Sequence, residues 1–208
     1  YWLHSGFVTI NGRKMSKSFG NFITIKEILN NYSPEALRFM FISAYYRSPV
    51  DYKEELIKQS EAAVQRINAL LNKLELIKKS GPKDEKIEVD EIIRKAQIEF
   101  EAKMDDDFNT PKALAVLFNF ARIINTFIDD NTLDKKSAGR IIKFLKKINR
   151  IFGIIPRKES GLPQEIFRLV QKREDLRKQK LWAEADKIRD KIQTSGFSIE
   201  ATLYGPLI

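Results

Sequence analysis

Apolar residues recur through most of this chain at the spacing of a single helix face, and the breaks in that spacing divide it. From about Tyr52 to Lys79 the series Leu56, Ile57, Ala63, Val64, Ile67, Leu70, Leu71 and Leu74, with charge between, predicts one long amphipathic helix. A second helix is predicted over about Val89–Met104, with Ile92, Ile93, Ala96 and Phe100 inward. Asn109-Thr110-Pro111 restarts a third, with Leu114, Leu117, Phe118, Ala121, Ile124 and Ile128 on its buried side and Asn125 at the edge of that stripe. Ser137 to Phe152 gives a fourth, facing inward through Ile141, Ile142, Leu145, Ile148 and Phe152. Together these stripes predict the core of a helical bundle.

The flanks read differently. Phe7-Val8-Thr9-Ile10 is strand-like and runs into Asn11-Gly12. Thr24, with Glu27 three residues on, predicts a capping box and a short helix ending near Asn30-Asn31. Ser33-Pro34 opens another, with Ala36, Leu37, Met40, Phe41 and Ala44 expected inside and Arg38 in a surface ion pair. Tyr45-Tyr46-Arg47-Ser48-Pro49 breaks that helix, and Pro49 holds Ser48 extended. Beyond the bundle, Ile166, Leu169, Val170, Arg173, Leu176 and Arg177 mark an amphipathic helix in a last unit that begins at Leu162. A second helix opens at Trp182 and ends before Gly196, and Phe197–Ile199 with Ala201–Leu207 reads as a small hairpin. Linkers fall at Ser80–Asp84 and Gly153–Gly161. The expected class is mainly α, in three units: 1–50, 51–156 and 160–208.

Composition narrows the classes. The chain has 208 residues, 43% hydrophobic, with a formal net charge of +9. That surplus favours a polyanionic partner without requiring one. Between Asp134 and Lys158 nine Lys or Arg stand against one Asp, so the fourth bundle helix offers either a phosphate-tracking face or a solvated one. With no Cys a disulfide framework is excluded, and with the single His4 the usual zinc ligand sets cannot be assembled. Asp105-Asp106-Asp107 resembles a metal cluster, but adjacent carboxylates point apart, and a turn with a helix cap is expected instead. No apolar run is long enough for a membrane span, and no signal peptide is visible. Starting at Tyr1 without Met, the chain is expected to be a piece of a longer protein.

The chemistry concentrates in Lys14-Met15-Ser16-Lys17-Ser18, between Gly12 and Gly20. Two lysines and two hydroxyls in a loop with glycine hinges suit a polyphosphate: lysine supplies a mobile charge and serine a short hydrogen bond. Such a loop can close on a triphosphate and stabilise the charge that builds on its leaving group. Alone, it could equally be an exposed basic turn. Arg177, Trp182, Asp186 and Arg189 on the C-terminal helix pair could stack on and hydrogen-bond unstacked RNA bases. The plain alternative makes Trp182 the plug of a small core.

Lys14 to Ser18 resembles the KMSKS signature of class I aminoacyl-tRNA synthetases. Four further stretches, Trp2-Leu3-His4-Ser5-Gly6-Phe7, Tyr45–Pro49 with Tyr52, Asp106–Pro111 and Trp182–Asp190, resemble the cysteinyl-tRNA synthetase family. The resemblance implies the end of a class I catalytic domain, with strand, KMSKS loop and stem-contact helices. It implies a helical anticodon-binding bundle after that, and then a small helix-pair and hairpin domain that reads the anticodon. It implies ATP with Mg, L-cysteine and tRNA-Cys as partners, with cysteinyl-adenylate as intermediate. Lys14 and Lys17 would be catalytic, and Met15, Ser16, Lys17 and Ser18 would bind ATP. Arg177, Trp182, Asp186 and Arg189 would bind tRNA. Zinc would belong to the parent, its ligands outside this chain; no metal residue is expected here, and His4 matches no zinc ligand. A monomer in the cytoplasm is implied, and the piece alone should be inactive. Ala201 departs from the family, which commonly has a second carboxylate there. A free-standing basic RNA-binding module without catalysis is the alternative, and a helical scaffold for protein partners the third.

Overall fold

The computed structural model describes residues 1–82, 87–156, 163–202 and 205–207, without the side chains of Lys17 and Leu207. Residues 83–86 of the first linker, 157–162 of the second (Leu162 included) and 203–204 at the hairpin turn lie outside the described residues.

The first unit is a small sheet with a helical crossover. Strand β1 (Val8–Ile10) pairs antiparallel with β2 (Arg13–Lys14) and parallel with β3 (Val50–Tyr52), giving the order β2-β1-β3. A parallel pair needs a crossover, here α1 (Ile25–Leu29) and α2 (Pro34–Ile42). Both expected N-caps form: Thr24 makes a full capping box with Glu27, and the Ser33 side chain accepts from the Ala36 N–H. Strand β3 departs from the long helix that the apolar spacing predicts from Tyr52 onward. Three residues are too few to show a period, and the pairing of Tyr52 with Ile10 decides the outcome.

The bundle comprises α3 (Glu54–Ser80), α4 (Val89–Asp105), α5 (Thr110–Asp129) and α6 (Lys135–Phe152). Its core runs from Val64 through Leu74 and Ile77 of α3 to Phe100, Leu117, Ile124, Ile141, Leu145 and Phe152. The predicted stripes supply most of it. Phe120 and Phe144 are also buried and meet edge to face at 4.9 Å, whereas Phe118 sits at the margin, edge-on to Phe39. Helix α2 packs on two sides. Ala36, Leu37 and Met40 join Ile28 and Ile57, while Phe39 and Ile42 lean on the bundle. Phe41 is therefore turned out, 39% exposed, against the expected inward position. Leu56, also expected inward, is exposed to the same extent. Arg38 makes no ion pair among the described residues; its guanidinium lies against Gly153 at the end of α6, where a cation faces the negative helix terminus.

The last unit is α7 (Gln164–Lys178) against α8 (Trp182–Thr194), with Ile166, Val170, Ile188, Ile192 and Ile199 between them, followed by the hairpin β4 (Glu200–Thr202) and β5 (Gly205–Leu207). Arg173, on the predicted apolar face, is buried and pairs with Glu174 at 2.6 Å.

Candidate functional site

The loop from Lys14 to Ser18 hangs from a two-residue hairpin. Asn11 and Gly12 both take positive φ, 51° and 74°, the geometry of a type I′ turn that Asn-Gly favours. The hairpin is tied to β3 by one carboxylate: Asp51 Oδ1 accepts from Thr9 Oγ1 (2.8 Å) and from the Gly12 N–H (2.9 Å), while Oδ2 faces Lys53 Nζ at 3.2 Å. The Gly12 amide, then Thr9 and Lys53, hold the Asp51 carboxyl below the usual carboxylate range.

Past β2 the chain turns through a 3₁₀ segment, Lys17–Phe19. Asn21 closes the loop from below: its Nδ2 donates to the Lys14 carbonyl (3.1 Å) and its Oδ1 accepts from the Ser16 N–H (3.0 Å). Ser16 and Ser18 share a hydrogen bond at 2.7 Å between their hydroxyls, and the Met15 N–H donates to the Val8 carbonyl. Lys14 is exposed, its Nζ 4.4 Å from the Phe7 ring centroid. Arg13, Lys14, Phe19 and Asn21 line a depression beside the loop. The Lys17 side chain lies outside the described residues. The loop thus brings Lys14 and Ser18, both exposed, and the half-buried Ser16 to one place on a short, locally bonded turn. That is a donor set for an anion, anchored at its base and open at its tip. Asn21 and Asp51 were not singled out from sequence; Asn21, directly after Gly20, was the available signal, since Asn bonds nearby backbone in turns.

A second polar cluster joins the first unit to the bundle. Asp107, in the turn between α4 and α5, accepts from the Tyr45 and Tyr46 hydroxyls (Tyr46 at 2.8 Å) and takes the Arg47 guanidinium as a fork, Nε at 2.7 Å and Nη2 at 3.0 Å. Arg47, then the two tyrosines, hold the Asp107 carboxyl far below its ordinary value; in turn Asp107 raises the Arg47 and Tyr45 pKa values. Asp106 turns elsewhere, to Asn109 and Lys112. Among the described residues no three His, Cys, Asp or Glu side chains form a group able to hold a metal ion.

On the C-terminal pair, Arg177 lies over the Trp182 ring at 5.5 Å, and Trp182 is 54% exposed, so it is not the plug of the α7–α8 core. Trp182, Asp186 and Arg189 follow at i, i+4 and i+7, with Asp186 and Arg189 both exposed. The basic helix α6 is partly neutralised: Arg140 meets Asp90, Lys146 meets Glu75 and Lys147 meets Glu101. Among the described residues no helix is long and apolar enough to cross a membrane.

Comparison with known proteins adds the following. The model of the class I (C) tRNA synthetase catalytic domain matches residues 1–62, and the DALR domain model matches residues 99–156. Proteins named cysteine--tRNA ligase match along the chain. That of Caldicellulosiruptor saccharolyticus is 39% identical over 99% of this chain and 45% of its own length. That of Thermodesulfovibrio yellowstonii is 38% identical over 96% of this chain and 45% of its own length. That of Thermococcus onnurineus is 38% identical over 100% of this chain and 46% of its own length. The chain therefore spans a little under half the length of these relatives. Among solved structures, a LeuRS–tRNA–LeuAMS ternary complex from Agrobacterium radiobacter K84 shares the fold. Its TM-score is 0.59 at 17% identity, over 72% of this chain and 21% of that one.

Proposed function

We infer that this chain, which belongs to the cysteine--tRNA ligase family over the length it spans, is the C-terminal portion of such a ligase. The parent joins cysteine to ATP, releasing pyrophosphate and forming cysteinyl-adenylate, then passes the cysteinyl group to the terminal ribose of tRNA-Cys. The observation that carries this reading is identity of 38–39% along the whole chain, coinciding with a loop whose exposed donors suit a polyphosphate.

In this reading the portion has two tasks. Lys17, with Lys14, neutralises the charge that develops on the departing pyrophosphate as its bond to the α-phosphate breaks. Ser16 and Ser18 keep the loop in register through their shared hydrogen bond, and the backbone near Met15 lies by the adenine. Mg accompanies ATP when bound. Zinc, which the family implies, is read as held by the parent outside this chain. The second task is to hold tRNA-Cys, with Arg177, Trp182, Asp186 and Arg189 at the anticodon. The half-exposed Trp182 ring, with the Arg177 guanidinium over it, supports a stacking role. The parent is read as a cytoplasmic monomer.

The test is a pair of assays on the full-length protein. Cysteine-dependent exchange of pyrophosphate into ATP and cysteinylation of tRNA-Cys should both proceed, with other amino acids inactive. The 208-residue piece alone should bind tRNA and do neither. Full-length protein that binds tRNA but activates no amino acid would favour the non-catalytic RNA-binding module instead.

A further inference from the structure

Asp107 gathers three consecutive side chains from about sixty positions upstream, the Tyr45 and Tyr46 hydroxyls and the Arg47 guanidinium. Its backbone is unusual for the purpose. Asp107 and Phe108 both take positive φ, 50° and 52°, a conformation that side-chain-bearing residues adopt seldom. The α4–α5 turn is thus bent in the direction that presents this carboxylate. Both Arg47 and Asp107 are about half exposed, so the ion pair adds little to the stability of the fold. A bidentate fork with two further donors does fix orientation.

What it orients is the lid segment. The Tyr46 carbonyl accepts from the Gly6 N–H at 2.7 Å, and the Ser48 carbonyl lies where a side chain on residue 6 would have to go, 2.2 Å from its Cβ. The Val50 N–H then donates to the Phe7 carbonyl and begins the β1–β3 pairing. From the bundle turn to the hairpin that carries the loop, each contact is therefore direct. The Asp51 anchor of the hairpin is separate and does not depend on Asp107.

We propose that Asp107 is a positioning residue: it sets the angle between the lid-bearing segment and the helical bundle, and so registers an RNA held on the helices with the reacting centre. This rests on the reading of the chain as part of a tRNA ligase. Because the Asp51 and Asn21 contacts that shape the loop do not involve Asp107, the amino-acid activation step should not need it. The transfer step, which brings a distant RNA end to the adenylate, should need it, since small misplacement of reactants is costly in rate.

The experiment uses the full-length ligase with Asp107→Asn, and Arg47→Ala as the partner-side variant should the first fail to fold. Expected are cysteine-dependent pyrophosphate exchange within about two-fold of wild type, tRNA affinity within about three-fold, and kcat for tRNA charging down about ten-fold or more. The double variant Arg47→Ala/Asp107→Asn should be no worse than either single one. Unchanged charging, or an equal fall in both steps, would overturn the proposal. If wild type lacks cysteine-dependent exchange, the ligase reading itself fails, and the positioning role falls with it.

Discussion

Helix α3 crosses two unlike environments. At Leu74 it is enclosed by α4, α5 and α6, in a core of some two dozen buried side chains contributed by all four helices. At Ile57, four to five turns earlier, it completes a cluster of five with Ile28, Ala36, Leu37 and Met40. The bundle is held by buried area, a non-directional force that its own sequence periodicity supplies. The lid segment is held by a few directional bonds at Asp51, Asn21 and Asp107, and it leaves Trp2, Leu3, Phe7, Phe19, Phe22 and Ile25 substantially exposed. Such an apolar surface, beside a parallel strand pair, suits the edge of a larger α/β unit, since parallel sheets are ordinarily covered on both faces. The difference teaches a division of labour: a support built from buried area, and a loop built from a few polar contacts.

That contrast can be broken from either side. The largest effect should come from Lys17→Ala in the parent, which should lower the rate of adenylate formation by about 10²–10³-fold, the scale for removing one transition-state donor, with no shift in melting temperature. Next, Leu74→Ala, at a fully buried site, should destabilise the bundle by about 2–5 kcal/mol in denaturant melts while leaving the local lid contacts intact. Smaller, Trp182→Ala should weaken binding of the tRNA-Cys anticodon stem-loop about ten-fold if a base stacks on it, with an unchanged fold by circular dichroism. Unaltered affinity would remove Trp182 from the interface.

The smallest expected effect is a cap. Asp134 is fully buried at the start of α6; burial alone would raise its pKa. The Ser137 hydroxyl, then the Ser137 and Lys136 amides, outweigh that and lower it. With the folded pKa depressed, its contribution is complete above the ordinary carboxylate pKa of about 4 and is withdrawn as pH falls below that toward the folded value. Asp134→Ala should cost about 1–2 kcal/mol at pH 7 and flatten the acid limb of the stability curve below about pH 4. A mutant curve parallel to wild type in acid would deny the carboxylate that role.

How much of this was legible in sequence follows the same division. Stripes such as Ile141, Ile142, Leu145 and Ile148 announced the bundle because helical period and burial coincide there. Caps at Thr24 and Ser33 were equally legible, being local chemistry. Strand β3 was not, because its three residues acquire their state from partners some forty positions away. Phe41, expected inward, turns out and Phe39 leans on the bundle because α2 packs on two sides, and a single stripe cannot encode that. Asp107 was visible as one of three acids and within the Asp106–Pro111 stretch, but neither its left-handed backbone nor its pairing with Tyr45, Tyr46 and Arg47 leaves a mark in the local pattern. Of the loop itself, the donor types were plain, while the Asn21 bridge that shapes it depends on a turn geometry that sequence alone leaves open.

The most direct measurement is pre-steady-state formation of cysteinyl-adenylate by the full-length protein and its Lys17→Ala variant, alongside tRNA-Cys affinity for each. The account predicts a wild-type burst that the variant loses by at least a hundred-fold, with affinity for tRNA-Cys the same within about two-fold. An undiminished burst in the variant, or a parallel loss of burst and tRNA affinity, would contradict it.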